Sequence, residues 1–141
     1  MLVRLLYASR AASTVDADAL SVIFKQSRAN NPKLGVTGVL CSAGGVFMQV
    51  LEGGRGAVNQ LYHRIAHDAR HSEVVLLDYE EISERGFACW SMGQVNLARL
   101  NPALLMKYSE TAVLDPYSVS GAVSVALFKE LAATASVMGQ A

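Results

Sequence analysis

The sequence predicts an α+β domain, a β-sheet with two helices packed on one of its faces. Short apolar runs of period two alternate with longer segments of helical spacing, and they fall in the order β-α-β-β-α-β-β. Hydrophobic residues make up 52% of the 141-residue chain against 17% charged, which supplies a proper core and excludes disorder.

Leu2–Tyr7 forms the first strand, with Val3, Leu5 and Tyr7 on one face and Leu2, Arg4 and Leu6 on the other. Thr14 or Asp16 caps a helix that carries Leu20, Ile23, Phe24 and Ser27 at helical spacing. Asn30-Asn31-Pro32 ends that helix, because a residue before proline is pushed out of the α region. Thr37–Ser42 and Val46–Leu51 are strands joined by the hairpin signal Ala43-Gly44-Gly45. Gly53-Gly54 breaks the chain before a second helix bearing Val58, Leu61, Tyr62 and Ile65. Val74–Ile82 and Ala88–Leu97 complete the sheet. The arrangement is ferredoxin-like, βαββαββ, with one strand added to the basic motif.

Two helices on one face leave the other face of the sheet bare, and the remaining chain is suited to cover it. Asn101-Pro102 opens a short helix around Leu104–Tyr108, with proline at the first helical position. After the turn-like Asp115-Pro116, residues Ser118–Met138 form a helix rich in Ala, Val and Leu, apolar enough to be buried on the sheet or between subunits. The expected division is a domain over residues 1–97 and a helical extension over 98–141.

Twelve basic residues balance twelve acidic ones, with pI ≈ 6.8, so no electrostatic footprint for nucleic acid or an anionic membrane is present. Neutrality with a mean hydropathy of +0.28 leans toward apolar surface covered by another subunit. No apolar run approaches the ~20 residues of a membrane span. Met1 leads straight into a strand, without the basic and small-residue pattern of a signal peptide. Cys41 and Cys89 belong to no C-x-x-C pair, so neither a disulfide framework nor a zinc site is indicated. A cytoplasmic, reduced protein is expected.

Three polar residues fall in apolar places. Gln49 shares a strand face with Phe47 and Leu51, and an unpaired buried carboxamide there costs about 1–3 kcal/mol. It is either a satisfied structural glutamine or an edge position, or it faces a ligand. Tyr7 aligns with Val3 and Leu5, and strands 1 and 3 are neighbours in this topology, so Tyr7 and Gln49 can meet under the helices. Asn31 reads locally as a helix C-cap. Together the three suit the edge of an isoalloxazine ring, which offers a donor at N3 and acceptors at O4 and N5.

At these residues the chain resembles the BLUF family of blue-light sensors. The matching segments are Leu5-Leu-Tyr-Ala-Ser9, Asn30-Asn-Pro-Lys-Leu-Gly-Val-Thr-Gly38, Gly45-Val-Phe-Met-Gln-Val-Leu-Glu-Gly53, His63-Arg-Ile-Ala-His-Asp-Ala-Arg-His71 and Phe87-Ala-Cys-Trp-Ser-Met92, in order, over residues 1–97. The resemblance implies a flavin, FAD with FMN as the other candidate. Tyr7 becomes the photochemical tyrosine, and Gln49 the glutamine that rearranges its hydrogen bonds by tautomerisation or rotation. Asn31 holds the O4/N3 edge and Asn30 lies beside the ring. Ile23 and Ile65 flank the flavin from the two helices, and Arg64 and Asp68 lie near the C2 carbonyl and ribityl chain. Arg70 and Lys33 serve the phosphate end, while Trp90 and Met92 are the signalling pair on strand 5.

The resemblance further implies a reversible cycle that turns over no substrate. Tyr7 gives up an electron and a proton through Gln49, and the absorption band shifts to the red until it relaxes in the dark. No cyclase or phosphodiesterase segment follows residue 97, so the signal is expected to pass to a separate regulatory protein or through a homo-oligomer, as in short stand-alone members.

Two other classes compete. An enzyme on this fold lacks a nucleophile–base pair and a phosphate loop; His63, His67 and His71 fall at i, i+4 and i+8, but the helix is expected to end near Asp68, which takes His71 out of line, and no metal is expected. A ligand-binding or interaction module without photochemistry would purify colourless. A LOV-type sensor needs a reactive cysteine in a pocket context that neither Cys41 nor Cys89 supplies.

Overall fold

The computed structural model describes residues 1–11 and 17–134. A five-stranded sheet in the order β4-β1-β3-β2-β5 is its frame. The strands are β1 (Leu2–Ala11), β2 (Thr37–Ala43), β3 (Val46–Gly54), β4 (His71–Ile82) and β5 (Gly93–Asn96). All neighbours run antiparallel except β2 and β5. The helices are α1 (Ala17–Leu34), α2 (Arg55–Ala66), α3 (Pro102–Met106) and α4 (Gly121–Ala133). The expected helix caps Thr14 and Asp16, and the end of the predicted final helix beyond residue 134, lie outside the described residues.

Alternation along the central strands sends side chains into two separate cores. Val3, Leu5, Tyr7, Leu40, Phe47 and Leu51 pack with Val58 of α2 and the partly buried Leu61, Tyr62 and Ile65. Leu6, Val39, Cys41, Met48, Val50 and Val95 point the other way and meet Leu105 of α3 and Leu127, Phe128 and Leu131 of α4. The C-terminal helices therefore cover the face that the ferredoxin-like motif leaves bare. Each core side chain of this size contributes roughly 1.5–3 kcal/mol by leaving water, so α3 and α4 are held chiefly by this burial. Ser120 caps α4 by accepting a hydrogen bond from the Val123 N–H at 3.2 Å, and Asn101 caps α3 through the Ala103 N–H at 3.0 Å.

Among the boundaries that differ from expectation, three bear on the pocket and its loop, each for a tertiary reason. α1 does not stop at Asn31 but carries Pro32 in its last turn and ends at Leu34. There Asn31 is buried; its carbonyl accepts the Val36 N–H at 2.9 Å, and Gly35 turns the chain with φ +69°. β4 starts three residues early, at His71, with register shifts between Leu6/Tyr7 and Ala8/Arg10 on its partner β1. Most consequential, the fifth strand is only Gly93–Asn96. The predicted stretch from Ala88 to Met92 belongs to an irregular loop, so Trp90 and Met92 are not on a strand.

That loop is nevertheless anchored along its length. Arg85 reaches the Gly35 carbonyl at 2.7 Å and the Thr37 hydroxyl at 3.0 Å, and the Trp90 carbonyl accepts the Gly38 N–H at 2.9 Å. Phe87 and Met92 are buried and Trp90 half-buried in a loop held by these anchors and not by strand pairing, which is why alternation could not separate loop from strand. No described helix is long and apolar enough to cross a membrane.

Candidate flavin pocket

The register of β1 against β3 sets Tyr7 directly opposite Gln49. Both side chains are buried, and the Tyr7 hydroxyl donates to Oε1 of Gln49. The carboxamide of Gln49 then donates from Nε2 to the Met92 sulfur at 3.2 Å. Orientation of the amide follows from this network, since Oε1 turned to the sulfur would set two acceptors against each other. Asn31, brought inward by the extra turn of α1, donates from Nδ2 to the Ser91 carbonyl at 2.7 Å. Met92 lies with the helix-side core, while Trp90 packs in part against the far-face cluster. It is Met92, then, that meets the glutamine.

These residues open onto a cavity of about 220 Å³ between α1, α2 and the sheet. Of the residues expected at a binding site, Tyr7, Ile23, Asn30, Asn31, Gln49, Arg64, Ile65, Asp68 and Arg70 line it. Lys33 does not; it is exposed on the last turn of α1, outside the lining. Gln26, Ser27, Leu34, Leu40, Leu61 and His71 also line the cavity and were not singled out from the sequence. The helical spacing of Ser27 with Ile23, and of Leu61 with Ile65, was the available signal for two of them. His71 stands off the helix face of His63 and His67, as a helix ending near Asp68 implies: α2 ends at Ala66 and His71 opens β4.

The electrostatics divide the cavity into a dry end and a charged end. Burial pushes the Tyr7 phenol far above the usual tyrosine range, with Tyr62 and Asp68 adding to the effect. His71 shares a hydrogen bond of 2.8 Å between its Nδ1 and the Ser9 hydroxyl, and burial holds its pKa below 6.5. Its ring stands edge-on to Tyr7 and Phe47, with centroids 6.4 and 5.6 Å away. At the other end Arg70 grips Asp68 by its guanidinium at 2.6 Å and its backbone N–H at 2.9 Å. The hydrogen bonds from Arg70 hold the Asp68 carboxyl down to about 2.

A flavin ring suits this donor set. Gln49 Nε2 has a second N–H, and Asn31 has a second N–H and its Oδ1, without intramolecular partners among the described residues. These are the groups that the acceptors O4 and N5 and the donor N3–H of an isoalloxazine edge require. Ile23, Leu34, Leu40, Leu61 and Ile65 supply apolar contact for the ring faces.

Site and fold together define a ferredoxin-like domain with a cavity suited to a flavin between its two sheet-packed helices. The family model described as sensors of blue-light using FAD matches residues 2–93, and the chain belongs to that family, BLUF. Among its relatives is the photoactivated adenylate cyclase subunit beta of Euglena longa, 36% identical over 92 residues, which are 64% of this chain and 11% of that protein. The chain thus spans about a tenth of the length of the curated relatives it matches. Among solved structures, the BLUF protein BlrB in its dark state is 34% identical, with a TM-score of 0.80 covering 94% of this chain and 96% of that one. BlsA in its photo-activated state is 28% identical, with a TM-score of 0.86 covering 100% and 99%. The domain is a flavin-based blue-light sensor.

Proposed function

We propose that this chain reports blue light through proton-coupled oxidation of Tyr7 and an exchange of hydrogen bonds at Gln49, with FAD as the flavin. The observation that carries the proposal is the unbroken path Tyr7 to Gln49 to Met92, which ends on a loop touching the C-terminal helices. When bound, the flavin supplies the absorption of blue light and an excited state able to take an electron. In the dark the raised pKa keeps the Tyr7 phenol protonated. Loss of an electron makes a phenol strongly acidic, and Oε1 of Gln49 is in place to take the proton.

Return of both the electron and a proton to Tyr7 restores the phenol and leaves Gln49 as the other tautomer or rotated. In the rotated form Nε2 faces the tyrosine oxygen, Oε1 faces Met92, and the N–H to sulfur bond is gone. Met92 and the loop behind it are then less tightly held, which offers α4 and a separate regulatory protein, or a second copy of the chain, a changed surface. Arg64, Asp68 and Arg70 serve the ribityl and phosphate end in this reading, and residues 98–141 act as the output extension. The sensor turns over no substrate.

The test is spectroscopic. Tyr7→Phe and Gln49→Leu should each keep bound flavin and lose the light-induced red shift, and a normal photocycle in either variant overturns the mechanism. Flavin released by denaturation and separated by chromatography should run as FAD; FMN alone would correct the cofactor.

A further inference from the structure

We propose that Glu52 is the positioning residue for the 83–92 loop, fixing the end opposite Met92 and thereby setting how long the light-induced state lasts. The inference rests on the mechanism just proposed. β3 carries both contacts: Gln49 points to the pocket, and Glu52, three residues on, points to the other face. Glu52 is fully buried, yet its carboxylate spends both oxygens on the loop and on one cation. Oε1 accepts the Phe87 N–H at 2.7 Å; Oε2 accepts the Gly86 N–H at 3.1 Å and Arg4 Nε at 2.8 Å. Arg4 is itself buried and joined to Glu80 on β4 at 2.8 Å, so the anchor is tied across three strands.

A buried charge survives only where it is paired and its lone pairs are met, and here both conditions are satisfied by loop amides and an arginine. The loop is therefore held at two points of one strand. Gln49 grips Met92 at the light-sensitive point, and Glu52 grips Gly86 and Phe87 at a point with no part in the photochemistry. Phe87 packs edge-on against Phe128 of α4, with centroids 6.2 Å apart. When Gln49 lets go, the Met92 end moves while the Phe87 end stays, and the loop swings about the Glu52 anchor instead of leaving the sheet. The same anchor keeps Met92 close enough to recapture Gln49, which speeds the return to the dark state.

Replacing Glu52 by Gln keeps the shape but turns an N–H group toward the Gly86 N–H and Arg4, donor against donor. E52Q should retain flavin and show a red shift of wild-type size, with dark recovery slower by about fivefold or more. Trp90 is the single tryptophan of the chain, so its emission reports on the loop. Its light-minus-dark change should differ in E52Q, whereas L127A, which weakens the far core without touching the anchor, should keep wild-type recovery at a comparable loss of melting temperature. Recovery within twofold of wild type with an unchanged Trp90 signal overturns the role of Glu52, as does equal slowing in L127A. Should E52Q fail to fold, amide exchange on the wild-type protein decides: residues 84–89 should stay protected in light while 90–93 lose protection, and equal loss in both refutes the anchor. A wild type that shows no reversible shift removes the mechanism and this inference together, whereas a shifting wild type beside an indifferent E52Q removes this inference alone.

Discussion

Removing the Tyr7 hydroxyl separates a structural from a photochemical role for the pocket, because both effects have calculable sizes. In Tyr7→Phe the ring and its packing against Tyr62, 5.6 Å between centroids, are retained. What disappears is the donor to Oε1 of Gln49, a buried carbonyl with no other donor among the described residues. An orphaned buried acceptor costs about 1–3 kcal/mol, whereas deleting both partners costs less than the sum of the single losses. A double-mutant cycle over Tyr7→Phe and Gln49→Leu should return a coupling of about 1 kcal/mol or more. The assay is urea unfolding of the four proteins with saturating flavin, since flavin bound to the native state adds its own stabilisation. Additive losses, or a Tyr7→Phe variant as stable as wild type, would refute a hydrogen bond between these side chains and with it the route for the proton.

The far face offers further tests. A Cβ at Gly121 would lie 2.1 Å from the Leu77 carbonyl oxygen, so Gly121→Ala should push the start of α4 off β4 at a cost of about 1–3 kcal/mol, read in thermal melts. Ser124 is fully buried on α4 and its hydroxyl has no hydrogen-bond partner among the described residues, so Ser124→Ala should leave stability unchanged or raise it by up to about 1 kcal/mol. For pH, His71 has a folded pKa below its ordinary 6.5, so the unfolded chain takes up the proton first. Its contribution is fully present above pH 6.5 and is lost as pH falls through the folded value, and His71→Asn should flatten the stability profile in that window. Asp68 follows the same sign lower down: its contribution is complete above the ordinary 3.8 and lost toward about 2.

Much of the sheet was legible because alternation in the central strands is strict. The facing of Val3, Leu5 and Tyr7, and the neighbouring of strands 1 and 3, allowed Tyr7 and Gln49 to meet; the register that sets them opposite each other is seen only in the structure. The hairpin at Gly44-Gly45 was equally plain, and both glycines adopt positive φ. Failures cluster where tertiary contacts override local rules. Pro32 argued for a helix end at Asn31, but the grip of Asn31 on Ser91 and the turn at Gly35 carry the helix to Leu34. Trp90 and Met92 looked like strand because they are apolar; their loop is held by Glu52, Gly38 and Gln49, partners distant in sequence. The resemblance supplied the site, and no local pattern would have marked Glu52, whose buried carboxylate acquires meaning only from the loop folded onto it.

The most direct test of the account is the absorption spectrum of the purified, flavin-loaded protein in the dark and immediately after blue light. The account predicts an oxidised flavin band that moves to the red without bleaching and returns in the dark. Bleaching of the blue band, as adduct formation or lasting reduction would produce, contradicts it, and so does a bound flavin whose spectrum light leaves unchanged.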